Sequence, residues 1–259
     1  MNAVILAAGE GKRLRPFTDE KPKCLVPIGD TSIFDHQVDM MKRCGIRDII
    51  AVKGYMAQKI SRKDVKYYVN ERYATTNMVM TLWCVQHEMK DESIVSYGDI
   101  IYNEDVLRKL MAAPHDISVV VDMNWERYWK RRFTDPLADA EALRFADKDR
   151  IKVIGQPAHA IADVQAGYIG LMKFKGRGID TFKRSFLNAE KISQAGGKPW
   201  GCDRPFEKAF MTDMLQGIIN EGEDIYGVKI NGGWLEIDGL NDYELAKELF
   251  VDGKVVSVN

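Results

Sequence analysis

The chain lacks the marks of secreted, membrane-spanning and nucleic-acid-binding proteins. Its four cysteines form no C-x-x-C pair, so neither a disulfide framework nor a zinc knuckle is expected. No apolar run approaches the ~18–20 residues that span a bilayer, and charges follow the apolar start, residues 3–8, instead of preceding it as in a signal peptide. The 37 basic and 38 acidic residues give a net charge of −1, which removes the electrostatic argument for nucleic-acid binding. We therefore expect a cytoplasmic protein, without membrane insertion or a nucleic-acid partner, that is compatible with a homo-oligomer.

The apolar pattern is typical of an α/β protein. Ser32 is predicted to cap a helix that Gly45 ends. Short apolar runs alternate with amphipathic stretches, which predicts a doubly wound, mostly parallel (mixed) sheet with helices on both faces. Strands are predicted over residues 3–7, 48–52, 65–69, 93–97, 117–121, 166–174, 225–230 and 234–237. Helices are predicted over 32–44, 55–62, 76–88, 103–112, 178–194, 205–220 and 241–250, and residues 123–150 show no regular pattern.

A glycine-rich, basic loop follows the first strand. It reads Leu-Ala-Ala-Gly-Glu-Gly-Lys-Arg-Leu-Arg-Pro over residues 6–16. Doubly wound sheets bind ligands at the carboxyl ends of strands, and Gly9 and Gly11 allow backbone N–H groups to approach phosphate oxygens. A dinucleotide fingerprint needs a third glycine where Leu14 stands, and a Walker A loop needs Ser or Thr where Arg13 stands. Both of those motifs are therefore excluded.

The positive charge of this loop suggests which ligand it binds. Five cations lie within twelve residues: Lys12, Arg13, Arg15, Lys21 and Lys23. Such a density suits a polyphosphate better than a dinucleotide, because each cation can neutralise phosphate charge. The alternative is a solvated surface loop without a ligand.

Two aspartates follow predicted strands and are candidates for a metal site. Asp99 comes after residues 93–97 and Asp238 after residues 234–237. In a parallel sheet such strand ends converge on one crevice, and Mg²⁺ commonly takes one or two carboxylates plus phosphate oxygens. Glu236 lies on the same side of its strand as Asp238 and is a candidate third ligand. The alternative for Asp238 is that it only caps the helix that follows.

The loop resembles the signature of the nucleotidyltransferases that make NDP-sugars and CDP-alcohols, and the resemblance runs in register over nearly the whole chain. Its other marks are Asn70-x-x-Tyr73-x-x-Thr76-Asn77, Ser96-Tyr-Gly-Asp99, Gln165-Ala-Gly-Tyr-Ile-Gly-Leu171 and Trp234-Leu-Glu-Ile-Asp238 before Asn241-Asp242-Tyr243. The chain is most similar to the phosphocholine cytidylyltransferase-like group, which includes phosphonate cytidylyltransferases. One departure is Lys12, where many sugar enzymes carry Thr or Ser.

The resemblance implies a Rossmann-like nucleotidyltransferase fold in one domain, residues 1–259, with a nucleotide-binding half (1–121) and an acceptor-binding half (122–259). It implies that Lys23 and Arg13 are catalytic and that Asp99 and Asp238 bind Mg²⁺. The implied nucleotide-binding residues are Leu6, Ala7, Ala8, Gly9, Glu10, Gly11, Lys12, Thr76, Asn77 and Gly98. It also implies CTP as the nucleotide.

An aromatic and basic segment, residues 122–132, is the candidate acceptor site. Its rings could enclose an ammonium head, with Asp139 or Glu141 as the counter-charge, since a cation over a ring face gains ~0.5–2 kcal/mol. Its four cations, Arg127, Lys130, Arg131 and Arg132, would suit the acceptor phosphate or an acidic acceptor with its own carboxylate. The alternative is that Trp125 and Trp129, one helical turn apart, pack onto the core. The predicted acceptor residues are Trp125, Arg127, Tyr128, Trp129, Arg132 and Glu141.

The resulting hypothesis is transfer of CMP from CTP to a small phosphorylated or phosphonate amino-alcohol, phosphocholine-like, with release of pyrophosphate. The first alternative is an NDP-sugar pyrophosphorylase that uses a sugar 1-phosphate. A catalytically inactive regulatory homologue is a second alternative, against which the four charged residues Arg13, Lys23, Asp99 and Asp238 argue together. A nicotinamide-dependent dehydrogenase is a third, against which the missing glycine argues.

Overall fold

A seven-stranded mixed sheet forms the centre of the structure, a computed structural model that describes residues 1–256. The strands are β1 (Asn2–Ala7), β2 (Pro27–Ile28), β3 (Thr31–Ser32), β4 (Ile49–Lys53), β5 (Lys66–Val69), β6 (Glu92–Tyr97), β7 (Ile100–Tyr102), β8 (Ile117–Asp122), β9 (Glu141–Phe145), β10 (Ile151–Pro157), β11 (Gly167–Lys175), β12 (Tyr226–Ile230), β13 (Trp234–Glu236), β14 (Phe250–Val251) and β15 (Lys254–Val255). The helices are α1 (Ile33–Arg43), α2 (Met78–Trp83), α3 (Glu104–Ala112), α4 (Trp125–Arg132), α5 (Arg177–Gln194), α6 (Met211–Asn220) and α7 (Leu240–Leu249).

The order of strands in the central sheet is β12-β8-β11-β6-β1-β4-β5. Neighbouring strands are parallel except where β11 is inserted, antiparallel to both β6 and β8. The mostly parallel, mixed sheet predicted from the sequence is confirmed. The chain runs outward from β1 through β4 to β5 and then returns to β6 on the other side of β1. The carboxyl ends of β1 and β6 therefore form the topological switch point, where such sheets bind ligands.

Helices cover both faces of this sheet, and the alternation of side chains along β1 shows how. Ala3 and Ile5 belong to one apolar cluster, with residues of α1, α3 and α7, whereas Val4 and Leu6 belong to the other, with residues of α2, α5 and α6. Every residue of β1 is buried, as expected of a strand covered on both faces.

Most predicted elements are present, and the differences lie at helix boundaries. α1 matches its prediction: the Ser32 hydroxyl accepts the N–H of Asp35 at 3.0 Å, and Gly45 ends the helix with φ of 94°. Three predicted helices are shorter in the structure. The segment 76–88 contains only α2, the segment 205–220 contains α6, and the segment 55–62 contains a 3-10 turn at Ala57–Lys59. The helical spacing of apolar residues located these segments, but it does not fix where a helix begins and ends.

The largest error concerns residues 123–150, which were expected to be irregular. They contain α4 and the strand β9, which pairs antiparallel with β10. This ribbon has two register shifts, between Ile151 and Val153 and between Ile154 and Gln156. The extra residues of these bulges lie in β10, and β9 buries two consecutive residues, Ala142 and Leu143. Neither strand therefore shows the two-residue alternation by which a strand is recognised in a sequence. Among residues 1–256, no helix has the length and apolar character needed to cross a bilayer.

Gly98 allows β6 to meet β1 at the switch point. Its N–H donates to the Leu6 carbonyl at 3.1 Å, and a Cβ at this position would lie 2.6 Å from that same oxygen and 3.1 Å from Ala7 Cα. Both atoms belong to the backbone of β1, so a side chain here would force the strands apart.

We predict that Gly98→Ala lowers the free energy of unfolding by about 1–3 kcal/mol, because the added methyl group overpacks two rigid strands. Gly9→Ala is the matched control, since nothing lies within 4 Å of a Cβ built on Gly9. Urea unfolding of both variants measures the difference. Equal stability of the two variants would show that the strands at the switch point accommodate a side chain.

Candidate active site

Four charged side chains meet beyond the ends of β1 and β6. The Lys23 ammonium group donates to Asp99 Oδ2 at 2.6 Å and also to Asp238 Oδ1, while the Arg13 guanidinium contacts Asp238 Oδ2. Only 10% of the Lys23 side chain is exposed. The structure therefore brings together the predicted catalytic pair and two of the predicted metal ligands, with one lysine between the two carboxylates.

Asp99 and Asp238 meet by a different route from the one expected. They were predicted to end strands of the same parallel sheet, but β13 lies outside the central sheet and pairs antiparallel with β7. The N–H of Ile237 also donates to the Asp99 carbonyl at 2.9 Å. Asp99 precedes β7 and Asp238 follows β13 closely, so the two aspartates lie at the same end of this two-stranded ribbon.

Gln37 of α1 holds the turn that carries Asp99. Its buried amide donates to the carbonyls of Tyr97 at 2.8 Å and Ile100 at 2.6 Å, and it accepts from the Ser96 hydroxyl at 3.0 Å. The sequence prediction missed this residue. The available signal was a glutamine on the apolar face of a helix, where a buried amide needs partners.

The glycine loop packs against the stem of Lys23. Gly11 has φ of 72°, and a Cβ there would lie 2.7 Å from the Lys23 Cβ. Glycine is therefore required for both the backbone conformation and the close approach. Glu10, predicted to bind nucleotide, lies outside the cavity lining, and its carboxylate pairs with Arg15 at 2.7 Å and Lys12 at 3.4 Å. Glu10 thus contacts the cations of its own loop.

A first cavity of about 350 Å³ lies at the switch point. Its lining contains the four charged residues and nine of the ten predicted nucleotide-binding residues: Leu6, Ala7, Ala8, Gly9, Gly11, Lys12, Thr76, Asn77 and Gly98. It also contains residues that were not predicted: Cys24, Tyr73, Met78, Thr81 and Tyr97. Asn70 shapes this wall from behind, because its buried amide donates to the hydroxyls of Thr76 at 2.9 Å and Thr81 at 3.0 Å.

A second cavity of about 380 Å³ adjoins the first. The two share Arg13, Asn77, Met78, Tyr97, Asp99 and Asp238. Its other walls include five aromatic side chains, which are Trp125, Trp129, Tyr168, Phe210 and Trp234. All five come from the second half of the chain, so the charged cluster lies between a cavity built mainly by the first half and one built mainly by the second.

Three of the six predicted acceptor residues line the second cavity. They are Trp125, Trp129 and Glu141. The two tryptophans are buried and meet edge to face at 6.1 Å, and the Trp125 indole donates to the Val164 carbonyl at 2.9 Å. The two interpretations weighed for this pair are therefore compatible, because the same rings pack on the core and form a cavity wall.

The other three predicted acceptor residues lie outside this cavity, which corrects the sequence prediction. Arg127 is exposed and faces a separate surface depression. The Tyr128 hydroxyl bonds to the backbone of Glu236, accepting its N–H at 3.0 Å. Arg132 is buried among acidic partners, with Nη1 2.6 Å from Glu236 Oε2 and Nε 2.8 Å from Asp242 Oδ1. A helix distributes adjacent residues over all its faces, so one contiguous basic segment could not line a single wall.

The second cavity is acidic. Within residues 1–256 its lining has five carboxyl side chains, Asp99, Asp139, Glu141, Glu236 and Asp238, against the cation of Arg13. Burial raises the pKa of Glu141 to about 7, and the Thr212 hydroxyl, 3.3 Å from its Oε1, opposes that shift. Burial also raises the pKa of Asp139. This wall suits a ligand that brings positive charge or hydrogen-bond donors.

The metal prediction is only partly supported by side-chain placement. In the described part of the chain, no group of three or more His, Cys, Asp or Glu residues is arranged to hold a metal ion. Asp99 Oδ1 is buried without a hydrogen-bond partner, whereas Asp99 Oδ2 contacts Lys23. Glu236 lines the second cavity, but its carboxylate accepts from Arg132, and burial raises its pKa against the attraction of that arginine.

Comparison with known proteins identifies the family. Residues 3–165 match the model of the MobA-like NTP transferase domain. The chain belongs to this family. A CTP:phosphoglutamine cytidylyltransferase of Campylobacter jejuni is 34% identical over 259 residues, which cover 96% of this chain and 100% of the relative. A choline-phosphate cytidylyltransferase of Streptococcus pneumoniae is also 34% identical, over 96% of this chain and 98% of its own.

Solved structures agree with this fold. The CTP:phosphocholine cytidylyltransferase of Streptococcus pneumoniae superposes on this NTP transferase with a TM-score of 0.67 at 24% identity, over 96% of this chain and 99% of its own. The inositol-1-phosphate CTP transferase of T. maritima gives a TM-score of 0.70 at 16% identity, over 95% of each chain. The Rossmann-like nucleotidyltransferase fold implied by the sequence is confirmed, and the chain is a nucleotidyltransferase.

Proposed function

We propose that this nucleotidyltransferase transfers CMP from CTP to an oxyanion of a small phosphorylated or phosphonate acceptor and releases pyrophosphate. The observation that carries the proposal is the junction of two cavities at Arg13, Lys23, Asp99 and Asp238. The full-length cytidylyltransferase relatives support CTP as the donor. A relative that makes a CMP-aminopropylphosphonate is 26% identical over 127 residues, which cover 46% of this chain and 20% of the relative, and it extends the proposed acceptor class to phosphonates.

The first cavity would hold CTP. Backbone groups of residues 6–8, together with Thr76 and Asn77, would face the base and ribose. The backbone N–H groups of Gly9 and Gly11 would face the triphosphate. Arg13 would hold the β- and γ-phosphates as they leave. Lys23 would stabilise charge on the α-phosphate and on the incoming acceptor. Residues 1–121 would thus form the nucleotide-binding half and residues 122–259 the acceptor-binding half of one domain.

Mg²⁺ fits the two aspartates. Asp99 has an unpaired buried oxygen, and Asp238 lies beside it on the same ribbon end, so both could hold an ion that also takes phosphate oxygens. The ion would neutralise triphosphate charge. Glu236 is already paired with Arg132, so we propose only Asp99 and Asp238 as ligands of the ion.

The transfer would need no general base. The acceptor phosphate or phosphonate oxygen is already an anion, and within the described chain none of the four histidines lines either cavity. The residues would act by placing two anions in line and by neutralising their charge. Lys23 and Arg13 carry positive charge at the junction, where the α-phosphate and the acceptor oxygen would meet.

The acceptor would occupy the second cavity with its phosphate or phosphonate toward Lys23. Its far end would face the aromatic wall and Glu141, an arrangement that suits a nitrogen-bearing head group. A sugar pyrophosphorylase is the weaker alternative. A UTP–glucose-1-phosphate uridylyltransferase relative is 29% identical over 49% of this chain, whereas the two cytidylyltransferase relatives are 34% identical over 96%.

A substrate panel tests the function. We expect kcat/KM to be highest for CTP over UTP and dTTP, and for nitrogen-bearing acceptors (phosphocholine, phosphoethanolamine, 2-aminoethylphosphonate, phosphoglutamine) over glucose 1-phosphate. Pyrophosphate release is the measurement. If glucose 1-phosphate were the best acceptor, the chain would be a sugar enzyme.

Chelation by EDTA should abolish turnover, because the triphosphate charge then lacks its counter-ion, and added Mg²⁺ should restore turnover.

Lys23→Ala should lower kcat by about 10²–10³-fold, because a preorganised charge would be missing where negative charge develops. Lys21→Ala is the matched control: the same residue type, two positions earlier in the same loop, outside both cavity linings. Circular dichroism of both variants checks the fold. Near-complete turnover by a folded Lys23→Ala would contradict the assigned role.

The raised pKa of Glu141 predicts a pH-dependent acceptor affinity. Its carboxylate form is populated above about pH 7, so KM for 2-aminoethylphosphonate should fall as pH rises through that value. Asp139, Asp213 and Arg204 also act on this carboxyl, and none is changed in the test. 2-Hydroxyethylphosphonate, measured in parallel, corrects for titration of the phosphonate itself. The ratio of the two KM values should change about five- to tenfold between about pH 6 and about pH 8, and Glu141→Gln should remove that change.

A further inference from the structure

Arg132 is a buried cation at the boundary between α4, α7 and β13. Only 1% of its side chain is exposed. One edge of its guanidinium faces Asp242, with Nε 2.8 Å from Oδ1 and Nη2 3.2 Å from Oδ2, and Nη1 lies 2.6 Å from Glu236 Oε2. The group is therefore fully engaged by protein carboxylates and is not available to a small anionic ligand.

Asp242 connects this arginine to the Asp238 loop. Its Oδ2 accepts the backbone N–H groups of Asp238 at 3.0 Å and Gly239 at 2.9 Å. The side chain is 8% exposed and lies in the first turn of α7, where backbone N–H groups favour a carboxylate. The contacts thus run from Arg132 through Asp242 to the backbone of Asp238, whose own carboxylate meets Lys23 and Arg13.

Stability alone does not account for this arrangement. Buried ion pairs pay a large desolvation cost, and replacing one by apolar side chains of similar volume is often neutral or stabilising. The rings of Tyr128, Trp129 and Phe133 already surround the guanidinium, so an apolar side chain at this position would also be packed against apolar neighbours. What an apolar residue could not do is fix the orientation of Asp242.

We propose that Arg132 and Asp242 are positioning residues that fix the Asp238 loop, so that its carboxylate faces Lys23 and a Mg²⁺–nucleotide complex. This inference rests on the function proposed above and replaces the acceptor-binding role first predicted for Arg132. A displacement of a reacting group by about 1 Å can cost about 10²-fold in rate. Loss of Arg132 therefore acts through Asp242 on the metal–nucleotide end of the site. It reaches the second cavity only through its contacts with Glu236 and Trp129.

The test uses Arg132→Met, which keeps the length of the side chain and removes the charge. Arg131→Met is the matched control, because Arg131 is its neighbour on α4 and pairs at the surface with Glu248. For Arg132→Met we expect a fall in kcat of about 10²-fold and weaker Mn²⁺ binding to the CTP complex, measured by electron paramagnetic resonance. KM for the acceptor should change by a much smaller factor than kcat. Arg131→Met should match the wild type in all three measurements.

A double variant separates positioning from charge balance. Arg132→Met leaves Glu236 buried without a partner, which by itself destabilises the fold. Arg132→Met/Glu236→Gln removes that unpaired charge and should recover Tm, while kcat and Mn²⁺ affinity stay low because the contact with Asp242 is still missing. Recovery of activity together with Tm would show a purely structural role and overturn the proposal.

Other outcomes also decide the question. A large rise in the acceptor KM, with kcat and Mn²⁺ affinity unchanged, would return Arg132 to acceptor binding. If neither the single nor the double variant folds, the ion pair supports the fold and the positioning role is overturned. Failure of the proposed function is distinguishable from all of these, because the wild type would then release no pyrophosphate from CTP.

Discussion

The ammonium group of Lys23, held between Asp99 and Asp238, is the interaction on which the site depends. Two carboxylates repel each other at short range, and a cation between them makes their approach favourable. The contact joins segments 76 and 215 positions away from Lys23. The close packing of Gly11 on the lysine stem, the β7–β13 ribbon and the Gln37 amide all serve to hold its three members in place.

This cluster also separates two kinds of surface. On one side lie backbone groups, glycines and cations, which suit a polyphosphate. On the other lie aromatic rings and carboxyl groups, which suit a small molecule with a nitrogen-bearing end. An anionic substrate in the first cavity and a substrate with a cationic end in the second would meet at the residues that line both cavities. The charges of the two cavities, as well as their shapes, would therefore orient each substrate.

Local patterns in the sequence predicted the fold and most of the lining of the first cavity. β1 is a fully buried apolar run, and the glycines and cations that follow it have roles set within a few residues of each other. The lining of the second cavity was predicted less well, because tertiary contacts decide which residues reach it. The basic character of α4 pointed to a ligand, yet Arg132 pairs with Glu236 and Asp242, 104 and 110 positions away. The sequence around Arg132 contains no signal that predicts partners so far away in the chain.

The reversed direction of β11 has a consequence for how this enzyme can change. The chain leaves the sheet at Asp122 and re-enters it at Gly167, and these two residues are direct cross-strand partners. The excursion between them carries α4, the β9–β10 ribbon and part of the wall of the second cavity. Because its ends are adjacent, doubling the length of such an excursion adds only about 0.6 kcal/mol of closure cost. Exchange of this one continuous segment would therefore alter part of the second cavity, while the first cavity, which takes no lining residue from it, would stay intact.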